Sequence, residues 1–183
     1  MREMSPFELF GLPERFALDM KALAERHQAA LLKVHPDRFA GRPAAERRVA
    51  EQWSARINEA YALLKDPVQR AGWLCAAAGH PLNAETDTRM PADFLMAQIE
   101  QREALERART PEDFAALKRA GGKEAADLEA GLADAIDQKR DWNAAVGLAR
   151  RLMFTERFAR EVERACAQAP HADAAASGGS SQH

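Results

Sequence analysis

Apolar residues recur every three or four positions along most of the chain, which is the spacing of amphipathic helices. No segment of the first half alternates with the period of two that predicts a half-buried strand. The pattern there predicts four helices, which run from Ser5 to Gly11, from Asp19 to His35, from about Ala44 to Lys65, and from Asp66 to Gly79. The first half is therefore predicted to be all-α.

Residues with strong positional preferences set these helix ends. Asp19 is a side chain that caps a first turn, and Asp66-Pro67 gives a cap followed by a first-turn proline. Pro36 disfavours helical backbone at His35, so the second helix is predicted to end there in an exposed loop. One apolar stripe is predicted along the third helix, made of Val49, Trp53, Ile57, Ala60 and Leu64. A second stripe is predicted along the last helix of the chain, made of Trp142, Val146 and Met153.

The second half is helix-rich as well, with predicted helices at Pro91–Arg109, from Pro111 to about Gln138, and from Asp141 to about Ala167. Short connections between three helices predict a small antiparallel bundle. Gly121-Gly122 is expected to break or kink the middle helix, because glycine is a poor helix former. We therefore predict domains at residues 1–79 and 92–168, a polar linker at 80–91 and a disordered tail at 169–183.

The composition is that of a globular protein, with 46% hydrophobic and 30% charged residues in a chain of 183. A net charge of -2 gives no reason to expect nucleic acid or an anionic membrane as a partner. No stretch is apolar enough to span a bilayer, and Cys75 and Cys166 are expected to be small buried thiols. These observations favour a cytoplasmic location.

The sequence offers no phosphate-binding loop, no metal-ligand cluster and no nucleophile–base pair at a recognisable spacing. His27 lies on the apolar stripe of the second helix, without a second ligand type at metal-binding spacing. It is therefore expected to be a hydrogen-bonded core histidine. Neither a metal, nor a cofactor, nor an enzymatic activity is expected.

His35-Pro36-Asp37 is the first candidate site, in the loop that follows the second helix. Proline fixes the backbone, Asp37 presents a carboxylate, and His35 can donate or accept a hydrogen bond. Such a knob suits docking between parts of a partner, although the tripeptide alone is also typical of a plain helix-ending turn.

The context of this tripeptide resembles the J-domain, which triggers ATP hydrolysis by DnaK-type chaperones. The likeness covers about residues 3–79: a Pro-Phe-Glu-Leu-Phe-Gly-Leu opening, the loop itself with Arg38-Phe39, and the run from Ile57 to Arg70. It implies four helices built around an antiparallel helical hairpin. The residues that match the family's chaperone-binding positions are His35, Pro36, Asp37, Arg26, Lys33 and Arg38.

The segment from Phe94 to Leu105 is the second candidate site, because its apolar residues fall on two faces of one helix. One face holds Phe94, Ala97, Ala104, Leu105 and Ala108, and the other holds Leu95, Met96 and Ile99 beside Glu100 and Glu103. The second face is either additional core or an exposed, acid-rimmed patch that selects a basic partner. Periodicity alone leaves both interpretations open.

The sequence Pro91-Ala92-Asp93-Phe94-Leu95-Met96, with Ile99-Glu100 and Arg102-Glu103, resembles the HscB family of iron–sulfur J-proteins. The likeness covers about residues 3–167, and Arg150 to Phe154 resembles the family's last helix. It implies an IscU-type scaffold protein and an HscA-type, DnaK-like chaperone as partners. The residues that match the scaffold-binding positions are Leu95, Met96, Ile99, Glu100, Glu103 and Phe154.

Two functions follow as hypotheses. The first is a co-chaperone that delivers the scaffold protein to the chaperone and stimulates the chaperone's ATPase, in iron–sulfur cluster assembly and transfer. The second keeps the J-domain for a different client and uses the C-terminal bundle for dimerisation or other protein binding.

Overall fold

A computed structural model describes residues 4–83 and 90–169 of the chain. Over these residues the protein is all-α and contains no strand, which confirms the predicted fold class. The helices are α1 (Pro6–Leu9), α2 (Met20–Lys33), α3 (Ala44–Lys65), α4 (Pro67–Ala77), α5 (Ala92–Arg107), α6 (Pro111–Ala133) and α7 (Trp142–Gln168). A 3-10 turn, Pro36–Arg38, follows α2, and a π-helical segment, Asp134–Lys139, follows α6.

The chain forms two compact units. The first unit contains the described part of Met1–Thr88 together with Asp127–Met153, and the second contains the described parts of Arg89–Ala126 and Phe154–His183. Residues 84–89 of the predicted linker and 170–183 of the predicted tail lie outside the described residues. The predicted domain boundaries therefore stay predictions.

The predicted capping residues set the helix ends. The Ser5 hydroxyl accepts a hydrogen bond from the Glu8 N–H, and the Glu8 carboxylate accepts one from the Ser5 N–H, which completes a capping box at α1. The Asp19 carboxylate accepts from two N–H groups in the first turn of α2. After α4, Gly79 adopts a φ of 85°, a left-handed conformation that glycine allows without strain.

The core of the first unit is built from side chains that are at most 1% exposed, among them Phe7, Leu23, Leu64 and Cys75. His27 packs at the margin of this core. The Nε2 atom of His27 lies 2.9 Å from Asn58 Oδ1, and the imidazole ring stacks on the Tyr61 ring. The expected hydrogen bond is confirmed, but His27 is half-buried and does not lie within the core. Cys75 is the buried thiol that was predicted, and burial raises its pKa to about 11, whereas Cys166 is only partly buried.

Two predicted apolar stripes are wrong in part. In α3, Ala50 is buried and its neighbour Val49 is 51% exposed. Ala50 is the buried residue of the two because it lies about two helical turns before the buried Ile57, on the same face. Trp53 also stays 39% exposed. In α7 the predicted stripe was Trp142, Val146 and Met153, which are only partly buried. The fully buried positions are Ala145, Ala149 and Leu152, and the small side chains of the two alanines allow helices to approach closely.

The expected break at Gly121-Gly122 does not occur, because α6 continues through both glycines. Each glycine costs about 1 kcal/mol of helix propensity, which tertiary packing of a long helix readily outweighs. An added Cβ would meet nothing within 4 Å at either position, so packing does not require glycine there.

The second unit packs parts of α5, α6 and α7 around Ala108, Phe114, Phe158 and Val162. Asp113 completes the N-terminal cap of α6, where its carboxylate accepts hydrogen bonds from the N–H groups of Arg109 and Thr110. These backbone hydrogen bonds hold the pKa of Asp113 below its ordinary value. No helix among the described residues is both long and apolar enough to cross a membrane.

Buried polar groups fix the loop before α2 in the first unit. The Asp137 carboxylate, 4% exposed, accepts hydrogen bonds from the N–H groups of Phe16 (2.7 Å) and Ala17 (2.9 Å). Arg70, 5% exposed, lies over the Phe16 ring at 4.6 Å and donates to the Leu64 carbonyl. Burial lowers the pKa of Arg70, and nearby carboxylates partly offset that effect.

Replacing Asp137 by Asn is expected to destabilise the protein by about 1–3 kcal/mol, because the buried amide NH₂ faces a backbone N–H that it cannot accept from. The matched control is Asp134→Asn, whose carboxylate is 51% exposed and pairs with Lys139 at the surface. The control is expected to cost less than about 1 kcal/mol. Urea unfolding measures both values, and equal values would contradict the structural role of Asp137.

Candidate functional site

The His35-Pro36-Asp37 loop forms a compact, exposed knob. His35 has an extended backbone (ψ 135°), as expected before proline, and caps the 3-10 turn by accepting the Asp37 N–H at Nδ1, 3.3 Å away. Backbone hydrogen bonds from Arg38 to His35 and from Phe39 to Pro36 close the turn. The Asp37 side chain is 90% exposed, so its carboxylate is available to a partner.

The predicted basic residues are exposed but are not equally close to this loop. Arg38 donates to the Leu32 carbonyl at 3.3 Å, which ties its guanidinium to the end of α2. Lys33 lies in the last turn of α2. Arg26 lies on the same helical face two turns earlier, about 10 Å along the axis. Its guanidinium donates to the carbonyls of Phe10 and Gly11, so it also anchors the end of α1.

Leu32 was not predicted to be a binding residue, yet it is 64% exposed beside this loop. The signal was present, because Leu32 follows the buried Leu23 by nine residues, which is a rotation of about 180° in a helix. The exposed surface of α2 therefore carries one large apolar side chain, next in sequence to Lys33.

The second candidate surface is an exposed apolar patch on α5. Leu95, Met96 and Ile99 are 49%, 59% and 54% exposed, whereas Phe94 is 4% exposed. The choice left open by periodicity is thereby decided, because the second face of α5 is a surface and not additional core. We call these three residues the α5 patch.

Charged residues border the α5 patch. Glu100 and Glu103 are both exposed. The Glu103 carboxylate accepts a hydrogen bond from the Arg107 guanidinium at 2.8 Å, one helical turn away. This ion pair offsets much of the Glu103 charge, so the border of the patch is less acidic than the sequence suggests.

Phe154 meets the α5 patch in a groove between α5 and α7. Its ring is partly buried, and it packs edge-on against the Phe94 ring with centroids 5.8 Å apart. The groove measures about 440 Å³, and its lining residues are Phe94, Leu95, Gln98, Ile99, Arg102, Phe154, Arg157, Phe158 and Glu161. The structure thus brings Leu95, Ile99 and Phe154 together, whereas Met96, Glu100 and Glu103 lie outside the groove lining.

Comparison with solved structures identifies the fold. The structure of the chaperone HscB from Vibrio cholerae matches with a TM-score of 0.76 and 36% identity, covering 88% of this chain and 96% of that one. The crystal structure of the human co-chaperone protein HscB matches with a TM-score of 0.84 over 90% of this chain and 83% of that one. Its 22% identity supports the fold alone. The fold and the His-Pro-Asp loop define a J-domain co-chaperone.

Sequence relatives narrow this class to one family. The co-chaperone protein HscB homolog of Bordetella avium is 47% identical over 157 residues, 85% of this chain and 94% of that protein. The Azoarcus homolog is 40% identical over 162 residues, 87% of this chain and 92% of that protein. A family model described as the HSCB C-terminal oligomerisation domain matches residues 90–163. This chain belongs to the HscB co-chaperone family.

Substitutions in α5 are expected to separate core from surface. Phe94→Ala removes a buried ring and should cost about 3–5 kcal/mol of stability. Leu95→Ala, at the next position, should cost less than about 1 kcal/mol, because half of that side chain is already in water. Urea unfolding measures both variants. A large loss for Leu95→Ala would mean that the α5 patch belongs to the core.

Proposed function

We propose that this protein is a co-chaperone that binds an IscU-type iron–sulfur scaffold protein and delivers it to an HscA-type, DnaK-like chaperone. It would also stimulate that chaperone's ATPase, and so assist iron–sulfur cluster assembly and transfer. The observation that supports this most strongly is that one chain exposes both the His35-Pro36-Asp37 knob and, in its other compact unit, the α5 patch.

The chaperone side of the proposal rests on a rigid knob and its charges. Pro36 and the 3-10 turn fix the backbone at Asp37, so docking loses little backbone conformational entropy. A placed carboxylate can displace a partner's internal ion pair, and the cations of Lys33 and Arg38 can hold an acidic surface beside it. Hydrolysis of ATP is then the partner's chemistry, and this chain contributes contacts and no catalytic group.

The client side rests on the α5 patch. Apolar side chains that lose water on binding contribute a favourable free energy that grows with the apolar area buried. Leu95, Met96 and Ile99 are about half exposed in the free protein, so each has substantial area to bury. Phe154 adds an aromatic ring from α7 to the same groove as Leu95 and Ile99.

Binding both partners couples delivery to hydrolysis. A scaffold held on the α5 patch is at high effective concentration near any chaperone that engages the knob, even though the two contacts share no residue. The chaperone therefore meets its client when its ATPase is stimulated, which is when it changes to its tight-binding form.

A second candidate function is self-association through the C-terminal unit. The observation that favours it is the description of the matching family model as an oligomerisation domain. The α5 patch could then contact a second copy of this chain. This alternative keeps the J-domain and assigns the client to another surface.

The first test is steady-state ATP hydrolysis by a purified HscA-type chaperone. Wild-type protein should stimulate the rate, and His35→Gln should abolish most of that stimulation, because Gln cannot reproduce the cap made by the imidazole Nδ1. His80→Gln makes the same chemical change outside the loop and should behave as wild type. Absence of stimulation by wild-type protein would sink the J-protein part of the proposal.

The second test is binding to a purified IscU-type scaffold by calorimetry. The triple variant Leu95→Ala/Met96→Ala/Ile99→Ala should lose at least about 100-fold in affinity, if two of the three side chains behave as hot spots. Val49→Ala removes an exposed apolar side chain from the J-domain and should bind normally.

Sedimentation of the same variants in the absence of scaffold separates the two functions. If the triple variant loses self-association and keeps scaffold binding, the α5 patch serves oligomerisation, and the assignment of the client to it is wrong.

A further inference from the structure

The groove between α5 and α7 contains more than apolar side chains. Its buried side is made by Phe94 and Phe158, which are 4% and 7% exposed. Leu95, Ile99 and Phe154 complete its apolar lining. A groove of about 440 Å³ is large enough to accept a bulky apolar side chain from a partner.

The charged residues of the groove are not equivalent. Arg102 and Glu161 form an ion pair at 3.5 Å, so their charges largely cancel. Arg157 instead lies over the Phe154 ring, with its guanidinium carbon 5.6 Å from the ring centroid. In the part of the chain that the structure describes, Arg157 makes no ion pair. The groove therefore carries one uncompensated positive charge.

A guanidinium that stacks on an aromatic ring still has free N–H donors at its edge. Those donors form a planar fork, which matches the two oxygens of a carboxylate. The aromatic ring restricts where the fork points, so less side-chain entropy is lost when a carboxylate binds. Arg157 thus has the chemistry of a prepositioned carboxylate receptor beside an apolar groove.

We propose that Arg157 is a specificity-determining residue of the client surface, and that the groove takes a protein segment with a bulky apolar side chain next to an Asp or Glu. This inference rests on the proposed function, because it concerns the same client. It also changes the expected charge of the client segment. Glu103 is paired with Arg107, so the border favours a basic partner less strongly than the sequence suggests.

The experiment measures the dissociation constant for a purified IscU-type scaffold at low salt, with the full-length protein. Arg157→Glu reverses the charge and should weaken binding by about tenfold or more, as expected for repulsion of a facing carboxylate. Arg157→Met keeps the apolar stem over Phe154 and should cause a smaller loss. Arg164→Glu, on the same helix but not lining the groove, makes the same change in net charge and should bind as wild type.

Salt provides an independent readout. Raising the salt concentration screens exposed charge pairs, so wild-type affinity should fall with salt. Arg157→Met should fall less, because the screened contact is already missing. Circular dichroism of each variant verifies that its helices are intact.

Three outcomes would contradict the inference about Arg157. If Arg157→Glu binds as wild type while Leu95→Ala binds weakly, the scaffold uses the α5 patch without a carboxylate at Arg157, and the proposed function stands. If Arg157→Glu and Arg164→Glu lose affinity equally, the effect is general charge and not a local contact. If wild-type protein does not bind the scaffold at all, the proposed function fails together with the inference.

Discussion

An α-helix turns through about 100° at each residue, so a helix that packs on one side only leaves its other side in water. In α5 this constraint buries Phe94 and leaves Leu95 and Met96 in water. In α2 it buries Leu23 and places Leu32 on the opposite side. The α5 patch and the exposed side of α2 are therefore the outer sides of helices whose inner sides are held by a core. The rigidity of the partner surfaces comes from that core.

The helix ends could be predicted from the sequence, because capping is a local interaction. Asp19 bonds N–H groups only two and three residues away, and the loop at His35 follows from the next residue, a proline. Long-range contacts had no such signal. Asp137 bonds the backbone of Phe16 across 121 positions. Arg157 was missed for the same reason, since its place depends on how α5 and α7 pack.

The misjudged helix interiors have a related cause. Local propensity argued for a break at Gly121-Gly122, but packing along the rest of α6 outweighs it. The stripe predicted for α7 consists of bulky residues. The residues of α7 that are fully buried include instead the small Ala145 and Ala149. Local sequence patterns thus identified the seven α-helices that the structure describes. They could not rank small against large residues at a helix–helix contact, because that depends on the distance between the helices.

The environment of Cys75 has a consequence for iron chemistry. A cysteine binds iron as the deprotonated thiolate. Burial in the first unit raises the pKa of the Cys75 thiol to about 11. At neutral pH Cys75 therefore stays protonated and enclosed. This arrangement suits a protein that is proposed to hold an iron–sulfur scaffold. The Cys75 sulfur does not compete with the scaffold for iron. It is also shielded from the oxidants that accompany loosely held iron.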